Sequence, residues 1–277
     1  MPVLALVNQK GGVGKTTVTL GLAAVAARRG ASVLVIDLDP QANATSGMAV
    51  WSVTETVDSA LDAERPGRIA ELAVDSGWDP ALFVRPPRLV PSSPGLAARE
   101  PQLVNDPIGA QDRLAIALRG LDVDLVLIDC PPSLGLLTVN GLFAADAALV
   151  VTEPGAWAVD GVEQILRNIG RISERRNGAL TLGGIVVNRL ARTRAARNWD
   201  EQLVATHGDR VLRPAIHLRA AVTEASAQSL PITALDRDGA SQAIAEFDAV
   251  LDAVLGTPVP VQASTVSVST GGSHGHL

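Results

Sequence analysis

Short blocks of unbroken hydrophobicity, five or six residues long and ending at a polar residue, recur along the first two thirds of the chain. They occupy residues 3–7, 32–37, 124–129, 147–152 and 184–188. Runs of this length suit strands buried on both faces, as in a parallel sheet covered by helices. Residue 30 is a glycine behind Arg28 and Arg29, a helix stop with cations at its negative end, so residues 20–27 read as a helix between the first two strands. Strand, helix, strand makes a parallel βαβ unit. Residues 54–63 predict a helix capped by Thr54, with Val57, Ala60 and Leu61 on one face. Residues 239–255 predict an amphipathic helix with Ile244, Phe247, Leu251 and Val254 inward and Glu246, Asp248 and Asp252 outward. Residues 51–109 are the least regular, and residues 80–107 are proline-rich.

The turn after the first run carries chemistry. It reads Lys10-Gly11-Gly12-Val13-Gly14-Lys15-Thr16-Thr17 and opens directly into the first helix. Glycines let successive N–H groups converge on one point, and the helix that follows aims its positive end there. Lys15 adds a full charge for the outer phosphates of a nucleotide, and the Thr16 hydroxyl is placed to ligate Mg²⁺. A common phosphate loop would begin with glycine at position 9, where this chain has Gln9, and it carries an extra lysine, Lys10. Acids close two other strands. Asp37 and Asp39 end the second, where turn formation before Pro40 is the alternative reading. Asp129 ends the third in the manner of a Walker B aspartate that holds Mg²⁺ through water. Asn188 ends the strand at 184–188, where a turn residue is the plain reading.

These segments together resemble the deviant Walker A ATPases, the ParA/MinD superfamily, and within it the ParA/Soj branch. The loop KGGVGKTT, the run DLDPQANATSG, the run DCPPSLGLLTVN and the segment PSS followed by Leu96, Ala97 and Glu100 carry the likeness, with residues 153–166 read as the helix that follows the fourth strand. The resemblance covers residues 3–255. It implies an α/β fold: a predominantly parallel, twisted sheet flanked by helices on both faces, in a single domain over 1–255. It also implies ATP and Mg²⁺ as cofactors, with residues 10–17 binding nucleotide and Asn188, Arg189 and Pro214 at the adenine. Thr16, Asp37 and Asp129 would serve the metal, and Lys10, Lys15 and Asp39 catalysis, Asp39 by positioning or activating the attacking water. In this family the extra lysine, here Lys10, reaches the ATP of a second subunit. The implied activity is a slow, partner-stimulated ATPase that dimerises on ATP, binds nonspecific double-stranded DNA, and segregates plasmid or chromosome DNA with a ParB-like centromere-binding protein. The alternative is a relative that positions another cargo or, like MinD, the division site. Ala42 stands where the family has glycine.

Composition sharpens this picture at three points. The chain of 277 residues holds 23 basic residues, and only Lys10 and Lys15 among them are lysines. A compact ammonium suits a cramped phosphate cradle better than a planar guanidinium does. A single cysteine, Cys130, excludes an internal disulfide framework and provides too few ligands for an iron–sulfur branch of the superfamily. Between residues 165 and 220, eleven arginines face four acids, a local +7 in a chain of net −6. That contrast points to a polyanion site built from Arg189, Arg192, Arg194, Arg197, Arg213 and Arg219, with a solvated helical face as the alternative. No stretch is long and apolar enough to span a bilayer, and the terminal helix is acidic, so a membrane partner is not expected. The expected location is cytoplasmic, on the nucleoid. Residues 256–277, rich in Ser, Thr, Gly and Pro, predict a disordered tail in which His274 and His276 fray.

Overall fold

The computed structural model describes residues 1–106 and 108–256; the expected tail and its histidines otherwise lie outside the described residues. The five apolar runs become five adjacent strands of a seven-stranded sheet. β1 (Val3–Val7) leads through α1 (Lys15–Arg28) to β2 (Val33–Asp37) and a short α2 (Asn43–Gly47). The irregular stretch forms α3 (Val57–Ala63), α4 (Arg68–Leu72), β3 (Val74–Asp75), β4 (Arg88–Val90), α5 (Arg99–Val104) and α6 (Arg113–Ala117). Then follow β5 (Leu125–Asp129), α7 (Leu136–Ala144), β6 (Ala147–Thr152), α8 (Ala158–Arg175) and β7 (Thr181–Val187). α9 (Arg194–His207), α10 (Ala220–Ala227) and α11 (Ala240–Leu255) complete it.

The strand order is β3-β4-β2-β5-β1-β6-β7, and only β3 runs antiparallel. The alternation of β1 explains the layers. Val3, Ala5 and Val7 join one buried cluster with residues of α3, α6, α7 and α8. Leu4 and Leu6 join another with α1, α10 and α11. Both faces are thus covered, which is why the strands carry no polar alternation.

Register places the acids. β5 lies between β1 and β2, with Asp37 directly opposite Asp129 and Leu6 also opposite Asp129. Two carboxylates therefore stand side by side at the carboxyl ends of adjacent parallel strands, where ligands bind in open α/β sheets. α1 is alanine-rich and buried over most of its length. It packs against α11 so closely that a Cβ on Gly21 would lie 2.4 Å from the Phe247 ring. The pair is tied at one end by Arg28 and Arg29 to Asp248, at 2.9 and 2.8 Å.

Some boundaries differ from the pattern reading. The helix expected from Thr54 starts at Val57 with Thr56 at its cap, because residues 54–56 stay extended or bent. The helix expected from residue 153 starts at Ala158. Beyond β7, Val211 adds a single parallel bridge to Ile185. Glu246, expected outward, is buried at 8% exposure because Arg219 and His217 meet it beneath the surface.

Candidate nucleotide site

The loop after β1 is shaped by two glycines in the left-handed region, Gly12 at φ 81° and Gly14 at φ 87°. Such angles are strained for any residue with a Cβ. Gly14 is also the N-cap of α1, which has no side-chain cap and no acid in its first turn. The positive end of a 14-residue helix is thereby left for an external anion. A Cβ at Gly12 would meet nothing within 4 Å, whereas one at Gly14 would sit 2.2 Å from Asn188 Nδ2. Gly14 is needed for close approach as well as for its angle.

Lys15 is 7% exposed, and its ammonium lies 3.3 Å from the Asn8 carbonyl. Burial lowers its pKa, and Asp129 opposes that effect. Lys10 behaves differently: its side chain is exposed, and among the described residues its ammonium makes no hydrogen bond or ion pair, while its backbone N–H is held by Asn8 Oδ1 at 2.8 Å. One ammonium faces the loop and the other faces solvent.

Asp129 is fully buried and accepts from Thr16 Oγ1 at 2.6 Å and Thr19 Oγ1 at 3.2 Å. Burial, reinforced by the neighbouring Asp37 charge, pushes its carboxyl up to about 7. Asp37 is pushed up to about 6, again by burial first. Both oxygens of Asp37 are engaged: Oδ1 takes the Asp39 N–H at 3.2 Å, and Oδ2 takes the Thr45 N–H and hydroxyl, both at 2.7 Å. Asp37 does not line the cavity. Asp129 does not line it either; the hydrogen bonds of Asp37 hold the turn that carries Asp39.

Asp39 does line the cavity, beside Lys15, Thr16, Gln41 and Asn43, and its Oδ1 accepts the Gln41 N–H at 2.9 Å. Ala42 follows in the left-handed region at φ 53°. The position expected of glycine keeps the glycine conformation, at a cost of about 1 kcal/mol for alanine.

The strand end at Asn188 closes the loop from the other side. Asn188 is 1% exposed and donates from Nδ2 to the Val13 carbonyl at 2.9 Å. Arg189 donates to the Gly12 carbonyl at 2.8 Å and lies 3.6 Å from Glu153. The two residues therefore latch the phosphate loop, and Arg189 and Asn188 both line the cavity. Pro214 is exposed and lines neither part of it.

The arginines expected to form one surface divide into two groups. Arg192, Arg194 and Arg197 are exposed and make no ion pair among the described residues. Arg189 is held at the loop, Arg213 pairs with Asp200 at 3.0 Å, and Arg219 is bidentate to Glu246 on the cavity wall. Arg219 thus points inward, a correction to its expected place on an outer polyanion surface. Sequence patterning misses Asn8, Thr45, His217 and Glu246; their work is hydrogen bonding across long chain separations. Cys130 is buried, and burial pushes its thiol far above the ordinary range, so it is an inert packing residue.

The arrangement fits a nucleoside triphosphate with a divalent cation. The loop's backbone N–H groups and the Lys15 ammonium present donors, the Thr16 hydroxyl and Asp129 carboxylate stand together as hard oxygens that could hold a cation, and a second compartment adjoins at Asn188. Comparison with known proteins agrees. An AAA domain family model matches residues 1–182. The sporulation initiation inhibitor protein Soj of Bacillus subtilis is 33% identical over 241 residues, 84% of this chain and 91% of that protein. The chromosome partitioning protein ParA of Caulobacter vibrioides is 34% identical over 241 residues, 84% and 87% of the two chains. A Mycobacterium smegmatis cobyrinic acid a,c-diamide synthase, solved with an ATP analogue and magnesium, superposes with a TM-score of 0.76 at 30% identity, covering 95% of this chain and 100% of that one. With its phosphate loop, paired strand-end acids and these relatives, the chain belongs to the ParA/Soj family of P-loop ATPases.

Proposed function

We propose that this protein is an ATP- and Mg²⁺-dependent partition ATPase that dimerises around two nucleotides and, in that state, holds DNA nonspecifically. The observation that carries the reading is the division of labour between the only two lysines. Lys15 lies inside the cavity of its own subunit, and Lys10 stands on the loop's outer side with its charge unused. An exposed, unpaired ammonium on a phosphate loop is suited to a phosphate brought from outside, on a second copy of this chain. ATP phosphates would lie over residues 11–17, with Mg²⁺ held by Thr16 and, through water, Asp129. Asp39 would hold the attacking water, and the nucleoside would occupy the compartment at Asn188. A ParB-like protein is the stimulating partner in this reading, which is supported by relatives such as the Caulobacter vibrioides ParA being named chromosome partitioning proteins.

The test is Lys10→Ala. A hydrogen bond to a charged group is worth about 1.5–3 kcal/mol, and a symmetric sandwich would make one at each nucleotide. The dimer should weaken by roughly 100-fold or more on a non-cleavable ATP analogue with Mg²⁺, while the monomer still binds nucleotide. Light scattering across a concentration series reads both states. A wild-type chain that stays monomeric when saturated, or a Lys10→Ala chain that dimerises normally, overturns the sandwich.

The DNA part of the reading rests on Arg192, Arg194 and Arg197, the exposed and unpaired members of the basic region. Replacing all three with alanine should weaken binding equally for unrelated duplexes. The slope of log affinity against log salt should become shallower by about 0.9 for each phosphate no longer neutralised. An unchanged slope would make these three a solvated face.

A further inference from the structure

We infer that Glu246, through His217 and Arg219, positions the wall that receives the nucleoside, with Leu218 as the apolar platform for the base. The inference rests on the nucleotide reading above and adds to it a residue from the far end of the chain.

Glu246 lies on α11, whose inward neighbours Ala243, Phe247 and Val250 are fully buried and apolar. A carboxylate in that row carries a desolvation cost unless its oxygens are satisfied. They are. Oε2 accepts the His217 backbone N–H at 3.0 Å and a guanidinium nitrogen of Arg219; Oε1 lies 2.7 Å from His217 Nδ1 and 2.7 Å from the other Arg219 nitrogen. Burial works to raise the carboxyl's pKa, but Arg219 and His217 outweigh it and hold the group below its ordinary range. The carboxylate grips the residues on both sides of Leu218.

Leu218 itself is 51% exposed, a large apolar side chain left unburied. It lines the compartment with Asn188, Arg189, Val222 and Thr223, beside the glycines of the loop. The 216–218 segment is fastened from the other side as well: the Leu190 N–H donates to the Ile216 carbonyl at 3.0 Å, and the Leu218 N–H donates to the Leu190 carbonyl at 3.1 Å. Leu218 is thus held on a segment clamped between the strand end that latches the phosphate loop and the helix that backs α1. An apolar side chain fixed in this way beside a buried amide suits the face and edge of a planar heterocycle. The phosphate compartment, with Lys15, Thr16 and Asp39, includes none of residues 217–219.

That separation defines the experiment. Magnesium tripolyphosphate carries the phosphates without a nucleoside, and a non-cleavable ATP analogue carries both. Calorimetric affinities for the two probes are compared in wild type, Glu246→Gln and Leu218→Ala. The expected result is roughly a tenfold loss for the ATP analogue in Glu246→Gln, a loss in the same direction in Leu218→Ala, and tripolyphosphate binding within twofold of wild type in both, given that a tenfold change corresponds to about 1.4 kcal/mol. Leu218 is exposed, so its variant folds and keeps the inference testable if Glu246→Gln does not. Equal weakening of both probes would make Glu246 a general support for α11 and overturn the inference, as would unchanged affinity for the ATP analogue in both variants. A wild-type chain that binds neither probe would instead remove the nucleotide reading, and this inference with it.

Discussion

Asp39→Ala is expected to bind ATP with wild-type or better affinity and to hydrolyse it roughly 10²- to 10⁴-fold more slowly, the usual worth of a positioned proton-accepting group. The side chain is 7% exposed at the rim of the phosphate compartment, and its one hydrogen bond among the described residues is to the Gln41 N–H. Removing it costs the fold little. It takes a negative charge away from where phosphates would sit, which favours binding. It also takes away the acceptor nearest to where an attacking water would be held. Single-turnover hydrolysis measured beside equilibrium binding separates the effects. On the proposed cycle the variant accumulates as a nucleotide-bound dimer that stays on DNA. Normal turnover in Asp39→Ala would assign the water to another residue.

The second large effect is on stability. Burial pushes the carboxyls of Asp129 and Asp37 up to about 7 and about 6, above the ordinary carboxyl range, with the neighbouring Asp37 charge adding to the effect on Asp129. An acid whose folded pKa is raised holds its proton in the folded chain at pH values where the unfolded chain has released it. Stability therefore falls as pH rises from about 4 towards 7, by about 1.4 kcal/mol for each unit of separation between the two states. Carboxylates held low by partners, such as Asp124 and Glu246, contribute a constant amount across the upper part of this window. His207, whose imidazole is lowered by burial, works in the opposite direction near neutrality. The difference between wild type and Asp129→Asn cancels it. Asparagine keeps one oxygen for the Thr16 hydroxyl, turns an NH₂ towards the oxygen of Thr19, and removes the charge. The variant should be more stable than wild type at pH 7.5 without ligand, show a flatter pH slope in urea denaturation, and lose Mg²⁺-dependent hydrolysis. A variant less stable than wild type at pH 7.5 would mean that burial does not penalise the Asp129 charge and that its pKa is not raised.

Both predictions start from residues that are legible in the sequence. The glycine turn, Lys15 and the strand-ending acids can be read because local sequence and strand periodicity suffice to place them at one edge of a parallel sheet. The five runs of the central sheet are legible for the same reason, being apolar throughout. The regular elements inside residues 51–109 are harder to see: β3 has two residues and β4 three, too short to show a period. Within the site, the place of Asp37 is legible because it closes a strand, while its hydrogen bonds from Thr45, eight residues on, are not. Glu246 is misplaced for a related reason. An acid on an amphipathic helix is assigned to solvent unless its partner is known, and Arg219 lies 27 residues away in sequence. The arginines show the same limit: charge balance can count them but cannot tell Arg194, free on α9, from Arg189, held at the loop.

The scarcity of lysine turns the site into its own chemical reporter. Reagents that acylate side-chain amines find one accessible target, at Lys10, since Lys15 is shielded. Apart from the α-amino group, whatever label the folded chain takes up sits on the loop's outer rim, and its uptake would register directly whether a second subunit has closed over it.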